Sequence, residues 1–235
     1  MPVVTYTRAT SVAELPGLSP AAAAVLQRQG LRTAGQLAAA VKNGTITSVP
    51  AITRAYAQHP PVVMSLALAK EIGRKLLRGL RSAHPALAAQ STIVGSLRRN
   101  RPRIGDIDIL VAIPCTDIDL DAAVRRAHGT VLATFARGPA RCSCILQLLI
   151  RDRPIRVAFD LFSAPPTEWG TALLHHTGSS QFNIRMRAHA KAVGYSLSQH
   201  GLKSLSTGRV RRFMTEAAVF AALRMANRPP EMRQR

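Results

Sequence analysis

Acidic residues are scarce in this chain. It has 12 Asp and Glu among 235 residues, against 32 Lys and Arg, and its formal net charge is +20. Such an excess of positive charge indicates a polyanionic partner, because each phosphate that a cation neutralises releases counterions. Ribosomal and packaging proteins have a similar charge, but they seldom need 47% apolar residues. Here the basic residues alternate with core-like segments, which favours a globular protein over a basic tail.

Cysteines are few, and long apolar runs are missing. The chain has an odd number of cysteines, namely Cys115, Cys142 and Cys144. The C-S-C spacing of Cys142 and Cys144, without a neighbouring His, does not fit a zinc site. They predict free or buried thiols in a reducing compartment. No apolar stretch is long enough to span a membrane, and the N-terminal sequence MPVVTYTRAT lacks the apolar segment of a signal peptide. We therefore expect a soluble intracellular protein that does not bind membranes.

Residues 13–45 carry the start and stop signals of two short helices. Ser19 can cap the first helix, which Gly30 ends, and Thr33 can cap the second, which Gly44 ends. After a Pro-rich break, residues 62–83 predict a long amphipathic helix, because Leu and Ile recur on one side and Lys and Arg on the other. The first part of the chain is therefore predicted to be helical.

The loop Gly17-Leu18-Ser19 comes directly before the first of these helices. The loop and the helices together resemble a helix-hairpin-helix, which presents backbone N–H groups to a nucleic-acid phosphate. Ser19 stands where the usual G-x-G hairpin has its second glycine, so a plain helical hairpin stays an alternative. If the resemblance holds, Gly17 and Ser19 bind DNA.

From Ser91 onward the pattern changes to that of strands. Residues 91–96 and 105–113 predict strands, and residues 119–129 predict a helix. A hairpin is predicted over residues 142–162, with its turn at Asp152-Arg153-Pro154. Helical patterns return over residues 167–176, 181–193 and 215–224. The order is helical, then α/β, then mostly helical.

Two aspartates lie one residue apart inside an apolar strand. Asp106 and Asp108 would point to the same face of the sheet, and Asp160 lies in the apolar run VAFDLF on the later hairpin. Neighbouring carboxylates repel, and their burial is costly unless a cation lies between them. Hard divalent ions such as Mg²⁺ prefer these oxygen ligands. The pattern suits phosphoryl transfer with metal ions, whereas the alternative is a set of edge-strand aspartates facing water.

Gly95-Ser96 and Arg98-Arg99 precede this aspartate pair by about ten residues. Together, G-S-x-R-R and D-x-D resemble the signature of the polymerase-beta-type nucleotidyltransferases. The segment TALLHHTGSSQFNIRMRAHAKAVGYSLSQHGL further downstream resembles the Thr-Gly-Ser turn and thumb helix of family X DNA polymerases. The resemblance covers roughly residues 13–235 and is most specific between residues 94 and 202.

The resemblance implies an α+β fold with three parts. A polymerase-beta-like nucleotidyltransferase palm, a mixed sheet with helices, is expected over residues 91–165. A helical fingers subdomain with the helix-hairpin-helix would precede it over residues 1–90. A small α/β thumb subdomain, which contacts nucleotide and template, would follow over residues 166–235.

The resemblance also implies roles for individual residues. Asp106 and Asp108 would bind both of two Mg²⁺ ions, for which Mn²⁺ can substitute. Asp160 would bind the catalytic ion and help to deprotonate the primer 3′-hydroxyl. The incoming triphosphate would be held at Gly95, Ser96, Arg99 and Gly105. The nucleotide sugar would lie at Gly178 and Ser179, joined by a cis peptide in family members, the base at Asn183, and the template strand at Arg187.

The chain also departs from the family pattern. His175 and His176 occupy the place of an aromatic pair that lies under the deoxyribose, which leaves sugar selectivity open. An imidazole could pair with a 2′-hydroxyl, or bind the triphosphate when protonated. Few residues precede the hairpin, so we expect the N-terminal lyase domain of larger members to be missing. That minimal form resembles the compact viral members of the family. The sequence does not distinguish between three compartments: a nucleus, a cytoplasmic viral factory and a virion.

The function implied is that of a DNA-directed DNA polymerase that fills short gaps in DNA repair. It would use dNTPs and gapped or primed double-stranded DNA, act as a monomer, and have a DNA ligase as a further partner. The alternative is a template-independent terminal nucleotidyltransferase. Such relatives carry a long loop in the palm hairpin, for which residues 151–154 leave no room. A non-enzymatic DNA-binding protein is a third hypothesis, and it conflicts with the intact aspartate triad.

Overall fold

The structure is a computed structural model that describes residues 5–234. Within that range the helices are α1 (Pro20–Arg28), α2 (Ala34–Lys42), α3 (Ala51–Gln58), α4 (Leu66–Ala83), α5 (Gly95–Arg98), α6 (Leu120–Arg126), α7 (Trp169–Thr177), α8 (Ser180–Ala192) and α9 (Glu216–Ala222). The strands are β1 (Met64–Ser65), β2 (Ser91–Ile93), β3 (Arg103–Ile104), β4 (Asp106–Val111), β5 (Gly129–Arg137), β6 (Arg141–Ile150), β7 (Arg153–Ser163), β8 (Tyr195–Ser198), β9 (Gly201–Ser204) and β10 (Val210–Arg211).

The two predicted N-terminal helices, α1 and α2, are confirmed with their caps. The hydroxyl of Ser19 accepts a hydrogen bond from the backbone N–H of Ala22 at 3.1 Å. Thr33 and Gln36 form a reciprocal capping box at the start of α2. These helices and the unpredicted α3 enclose a small apolar core that includes Leu26 and Leu37. The N-terminal part is therefore helical, as the sequence predicts.

The helix predicted over residues 62–83 begins only at Leu66, so the prediction is wrong for its first four residues. Met64 and Ser65 instead form β1, which pairs antiparallel with β3. The hydroxyl of Ser65 then caps α4 by accepting a hydrogen bond from Leu68 N. Pairing with β3, some forty residues further along the chain, competes with the local preference for a helix. The periodicity of residues 62–65 does not reveal this pairing.

A five-stranded sheet forms the centre of the molecule, in the order β2-β4-β7-β6-β5. Strands β4 and β7 are parallel and the other neighbours are antiparallel.

The predicted hairpin is confirmed as β6 and β7, but its turn consists of Arg151 and Asp152, both with positive φ. Pro154, which we placed in the turn, lies within β7 opposite Leu149. The edge strand β5 was not predicted. The strand predicted over residues 91–96 also ends early, because Gly95 begins α5.

The two faces of this sheet differ. One face carries Ile107, Ile109 and Phe159, which pack with α4 and α6 in the largest apolar core. Alternation along the strands places the aspartates of β4 and β7 on the opposite face. Because α4 shares the core of the sheet, it packs with the palm although it precedes residue 90. The subdomain bounds at residues 90 and 165 stay a prediction.

The C-terminal part packs around α7, α8 and α9, with the small sheet β10-β9-β8 beside them. The three helices match the predicted helical segments, whereas the three strands were not predicted individually. Phe182 and Phe220 lie at the centre of this core. Among the described residues, no helix combines the length and apolarity that crossing a membrane would need.

Candidate active site

The structure brings the three predicted aspartates together. Asp108 on β4 lies directly opposite Asp160 on the parallel strand β7, and Asp106 precedes Asp108 on the same face. One carboxylate oxygen from each of the three residues lies within 4.8 Å of the others. Oxygen donors at this spacing fit a hard divalent cation such as Mg²⁺. We call Asp106, Asp108 and Asp160 the aspartate triad.

Crowding and burial change the acidity of the triad. Burial and, next, the charge of Asp160 raise the pKa of Asp106 to about 6. Burial, Asp106 and Asp160 raise the pKa of Asp108 well above its ordinary value. Both shifts arise because the charged forms lack water and repel each other. A divalent cation would remove that penalty, so the protein without an ion holds negative charge at a free-energy cost.

Two residues that the sequence did not single out hold Asp160. Arg141 donates to Oδ1 of Asp160 from Nη2 at 2.9 Å and from Nε at 3.3 Å. The buried hydroxyl of Ser143, directly across the strand pair from Asp160, donates to the same oxygen. Only the register between β6 and β7 places these residues together, so no local motif could have identified them.

Gly95 lies against the triad at the start of α5. Its φ is +61°, and a Cβ at this position would lie 1.7 Å from Oδ2 of Asp108. No side chain larger than hydrogen therefore fits while Asp108 stays in place. The glycine that we predicted for close approach to phosphate is also required by the aspartate beside it.

Ser96 and Arg99 follow in the same helical turn and have unused hydrogen-bonding groups. The hydroxyl of Ser96 and Nε of Arg99 are buried without a partner among the described residues. Nη1 of Arg99 donates to the carbonyl oxygen of Thr177, and burial lowers the pKa of Arg99. Buried polar groups are rarely left unpaired, so this pair is suited to an oxygen-rich anion.

The predicted sugar and base contacts lie on α7 and α8 and at the turn between them. The peptide bond between Gly178 and Ser179 is cis, as the resemblance implied. Asn183 donates through Nδ2 to the carbonyl oxygen of His175 at 2.8 Å. Nη2 of Arg187 lies 3.2 Å from Nδ1 of His175. Asn183 and Arg187 are thus both held by His175 at one end of the candidate site.

His176 packs where an aromatic ring would be expected. Its imidazole stacks on Phe162 with the ring centroids 4.1 Å apart and the planes at 22°. Burial, and then His175 and Arg141, lower the pKa of His176 to about 3. Burial also lowers the pKa of His175. A ring that is neutral at pH 7 does not support the hypothesis that protonated His176 binds a triphosphate.

Three other predicted residues have less defined surroundings. Gly105 is exposed directly before Asp106, and a Cβ there would meet no atom within 4 Å. Gly17 has a φ of +88°, with Ile52 2.5 Å from the position of a Cβ. Ser19 uses its hydroxyl to cap α1. The Gly17–Ser19 loop keeps a left-handed glycine, but the role of these residues in DNA binding stays a prediction.

A buried ion-pair network joins the site to the C-terminal part. Arg98 donates to both carboxylate oxygens of Glu216 at 2.9 and 2.7 Å, and Arg233 donates to the same carboxylate at 2.5 Å. Burial would raise the pKa of Glu216, but the hydrogen bonds from the two arginines lower it overall. Arg233 is 1% exposed and lies over the rings of Phe182 and Phe220. The network connects α5 with α9 and the C-terminal segment.

Comparison with known proteins gives consistent matches. Residues 172–234 match the family model of the DNA polymerase beta thumb. The chain is 30% identical over 150 residues to the repair DNA polymerase X of African swine fever virus (isolate Tick/Malawi/Lil 20-1/1983), covering 63% of this chain and 83% of the viral protein. It is 30% identical over 143 residues, 60% of the chain, to the DNA polymerase/3′-5′ exonuclease PolX of Bacillus subtilis. It is 38% identical over 167 residues, 59% of the chain, to rat DNA polymerase lambda.

The chain spans only 23% of the Bacillus protein and 28% of the rat protein. Among solved structures, polymerase beta of Leishmania infantum, described as a ternary P/T complex, superposes with a TM-score of 0.79. That match covers 96% of this chain and 97% of the other at 23% identity. A likeness at this identity concerns the fold: a palm-type sheet with helical parts on either side.

Proposed function

This chain belongs to family X of the DNA polymerases, and from that premise we propose that it fills short gaps in double-stranded DNA during repair. The reaction would form a bond between the 3′-hydroxyl of a primer and the α-phosphate of a dNTP, and pyrophosphate would leave. The observation that carries the proposal is the aspartate triad, whose ligating oxygens lie within 4.8 Å of one another. Beside it lies a turn with buried polar groups that have no partner within residues 5–234. The net charge of +20 supports a nucleic-acid partner.

We propose that Asp106, Asp108 and Asp160 hold two Mg²⁺ ions, with Mn²⁺ as a substitute. Such ions would activate the attacking hydroxyl and neutralise charge on the triphosphate. The site fits this group because its donors are hard carboxylate oxygens, and their burial and then their mutual repulsion raise the pKa values of Asp106 and Asp108. Asp160 would accept the proton of the primer hydroxyl, because its Oδ2 is not used by the donors that hold Oδ1.

The residues around the triad would position the nucleotide. The Ser96 hydroxyl and the Arg99 guanidinium would bind the triphosphate, since each has a buried donor without a partner in the described part of the chain. Gly178 and Ser179 would line the sugar. Asn183 would reach the base and Arg187 the template strand, and the Gly17–Ser19 loop would contact the DNA backbone. Each of these roles is taken from the resemblance to family X and assigned to the residue of this chain at the matching position.

Template-independent addition is the alternative that the palm hairpin argues against. The turn between β6 and β7 has two residues, Arg151 and Asp152. A turn of this length cannot form a loop that occupies the template position. Primer extension on gapped, open-template and single-stranded substrates tests the choice, and we expect the highest rate on the gapped substrate. Equal addition to single strands would favour the terminal-transferase alternative.

Single replacements of the triad test the catalytic assignment. Asp106→Ala, Asp108→Ala or Asp160→Ala should each lower the rate of nucleotide addition by at least about 10³-fold, because a major electrostatic contribution is removed. Binding to gapped DNA should be largely retained, since affinity comes mainly from the basic surface. The exposed Asp117→Ala is the matched control and should have a normal rate. Near-normal turnover by Asp160→Ala would show that the triad is wrongly assigned.

A further inference from the structure

Arg141 connects two neighbouring strands at the triad. From β6 it directs two donors to Oδ1 of Asp160, at 2.9 and 3.3 Å, and Ser143 adds a third donor to the same oxygen. Within residues 5–234, no hydrogen bond from the protein reaches Oδ2 of Asp160. Three donors on one oxygen fix the orientation of the carboxylate and leave its other oxygen free for a ligand.

The guanidinium of Arg141 is also held from its other side. Its Cζ lies 5.4 Å from the centre of the Phe162 ring, and that ring stacks on His176. Although the side chain of Arg141 is 52% exposed, its guanidinium reaches Asp160 at 2.9 Å. A cation–π contact and a charge-assisted pair together favour this placement over a solvated one.

The triad has a shortage of positive charge. One oxygen from each of its three carboxylates lies within 4.8 Å of the others. Arg99 directs Nη1 to the carbonyl oxygen of Thr177. In the described part of the chain, Arg141 alone forms a salt bridge with a triad carboxylate. It therefore supplies, from within the protein, part of the charge that a divalent ion would bring.

We propose that Arg141 is a positioning residue and the internal counter-ion of the aspartate triad. It holds Asp160 by one oxygen, and its charge competes with the divalent ion that the same carboxylates bind. The inference rests on the proposed function, because it concerns the ions that this reaction needs. Removing the charge should strengthen ion uptake, whereas removing the donors should slow nucleotide insertion.

The test compares four variants with the wild-type protein: Arg141→Met, Arg141→Lys, Arg153→Met and Ser143→Ala. Arg141→Met keeps the length of the side chain but removes its charge, and Arg141→Lys keeps the charge. Arg153→Met is the control, since Arg153 is exposed on the same hairpin at the end of β7 away from the triad. Ion uptake is measured from the thermal unfolding temperature during titration with Mn²⁺ at pH 8.5, without DNA or nucleotide. Insertion is measured as the single-turnover rate on gapped DNA.

We expect Arg141→Met to respond to Mn²⁺ at a concentration at least about fivefold lower than the wild type, since an opposing charge is gone. Its insertion rate should fall by about tenfold or more, because Asp160 loses its orientation. Arg141→Lys should have a near-normal ion response and an intermediate rate, and Arg153→Met should be normal in both. Ser143→Ala, which keeps the charge, should slow insertion without strengthening ion uptake.

Weaker ion uptake together with slower insertion in Arg141→Met would overturn the proposal, since it indicates a general structural defect. An unchanged ion response with weaker DNA binding would also overturn it, and would make Arg141 a DNA contact. If Arg141→Met does not fold, Arg141→Gln, which also removes the charge, replaces it in both measurements. If the wild type extends no primer, the proposed function fails, but the ion titration still tests the role of Arg141.

Discussion

Replacing Gly95 with Ala would place a methyl group against a triad carboxylate. The new Cβ would lie 1.7 Å from Oδ2 and 2.7 Å from Cγ of Asp108. Because Asp108 lies on a strand between β2 and β7, its backbone cannot withdraw easily. The carboxylate must therefore rotate away from the position that it shares with Asp106 and Asp160.

Two effects contribute to the expected loss of stability. A φ of +61° at Gly95 is in the left-handed region, where a residue with a Cβ costs roughly 1–2 kcal/mol. Inserting a methyl group into a packed site adds about 1–3 kcal/mol. The free energy of unfolding should thus fall by about 2–5 kcal/mol. A carboxylate displaced by about 1 Å should also slow nucleotide insertion on the order of 10²-fold.

Two other glycines separate these effects. Gly30 has a φ of +84° and open space around a Cβ, so Gly30→Ala measures the backbone cost alone. Gly138 has open space without a positive φ, so Gly138→Ala should change stability by less than about 0.5 kcal/mol. Urea unfolding and single-nucleotide insertion are measured for all three variants. The reasoning is refuted if Gly95→Ala is no less stable than Gly30→Ala and inserts nucleotides at the wild-type rate.

Three further predictions concern pH, salt and sugar selectivity. Because the pKa of Asp106 is raised from 3.8 to about 6 in the folded protein, ion-free protein should lose stability as the pH rises through that window, and Asp106→Asn should reduce the loss in urea unfolding. Binding to gapped DNA should weaken with salt at a slope of log K near −5 if about six phosphates are neutralised, and a flat dependence measured by fluorescence anisotropy would exclude the duplex as partner. Exchanging His175→Tyr and His176→Phe together should increase the preference for dNTP over rNTP, and an unchanged ratio of insertion rates would show that these rings do not select the sugar.

The triad could be predicted because its chemistry conflicts with its surroundings. Carboxylates at alternate positions of an apolar strand are costly, and that conflict is visible in the sequence at Asp106 and Asp108. Arg141 and Ser143 carry no such conflict, since a basic residue at the start of a strand and a serine within one are ordinary. They become part of the site only when β6 pairs with β7 in one particular register. A shift by one residue would move both side chains to the other face.

The two arginines of the G-S-x-R-R motif also have roles that local sequence does not reveal, although they are neighbours in the chain. Arg98 and Arg99 are neighbours in one helical turn, so their side chains leave the helix in directions about 100° apart. Arg98 reaches Glu216 with a bidentate contact at 2.9 and 2.7 Å, whereas Nε of Arg99 is buried and has no partner among residues 5–234. Arg98 joins the palm to the C-terminal part through Glu216, whereas Arg99 donates only Nη1 to Thr177 in that part and keeps Nε for a ligand. Identical residue types at adjacent positions thus differ in role because Glu216, more than one hundred residues further along the chain, pairs with only one of them.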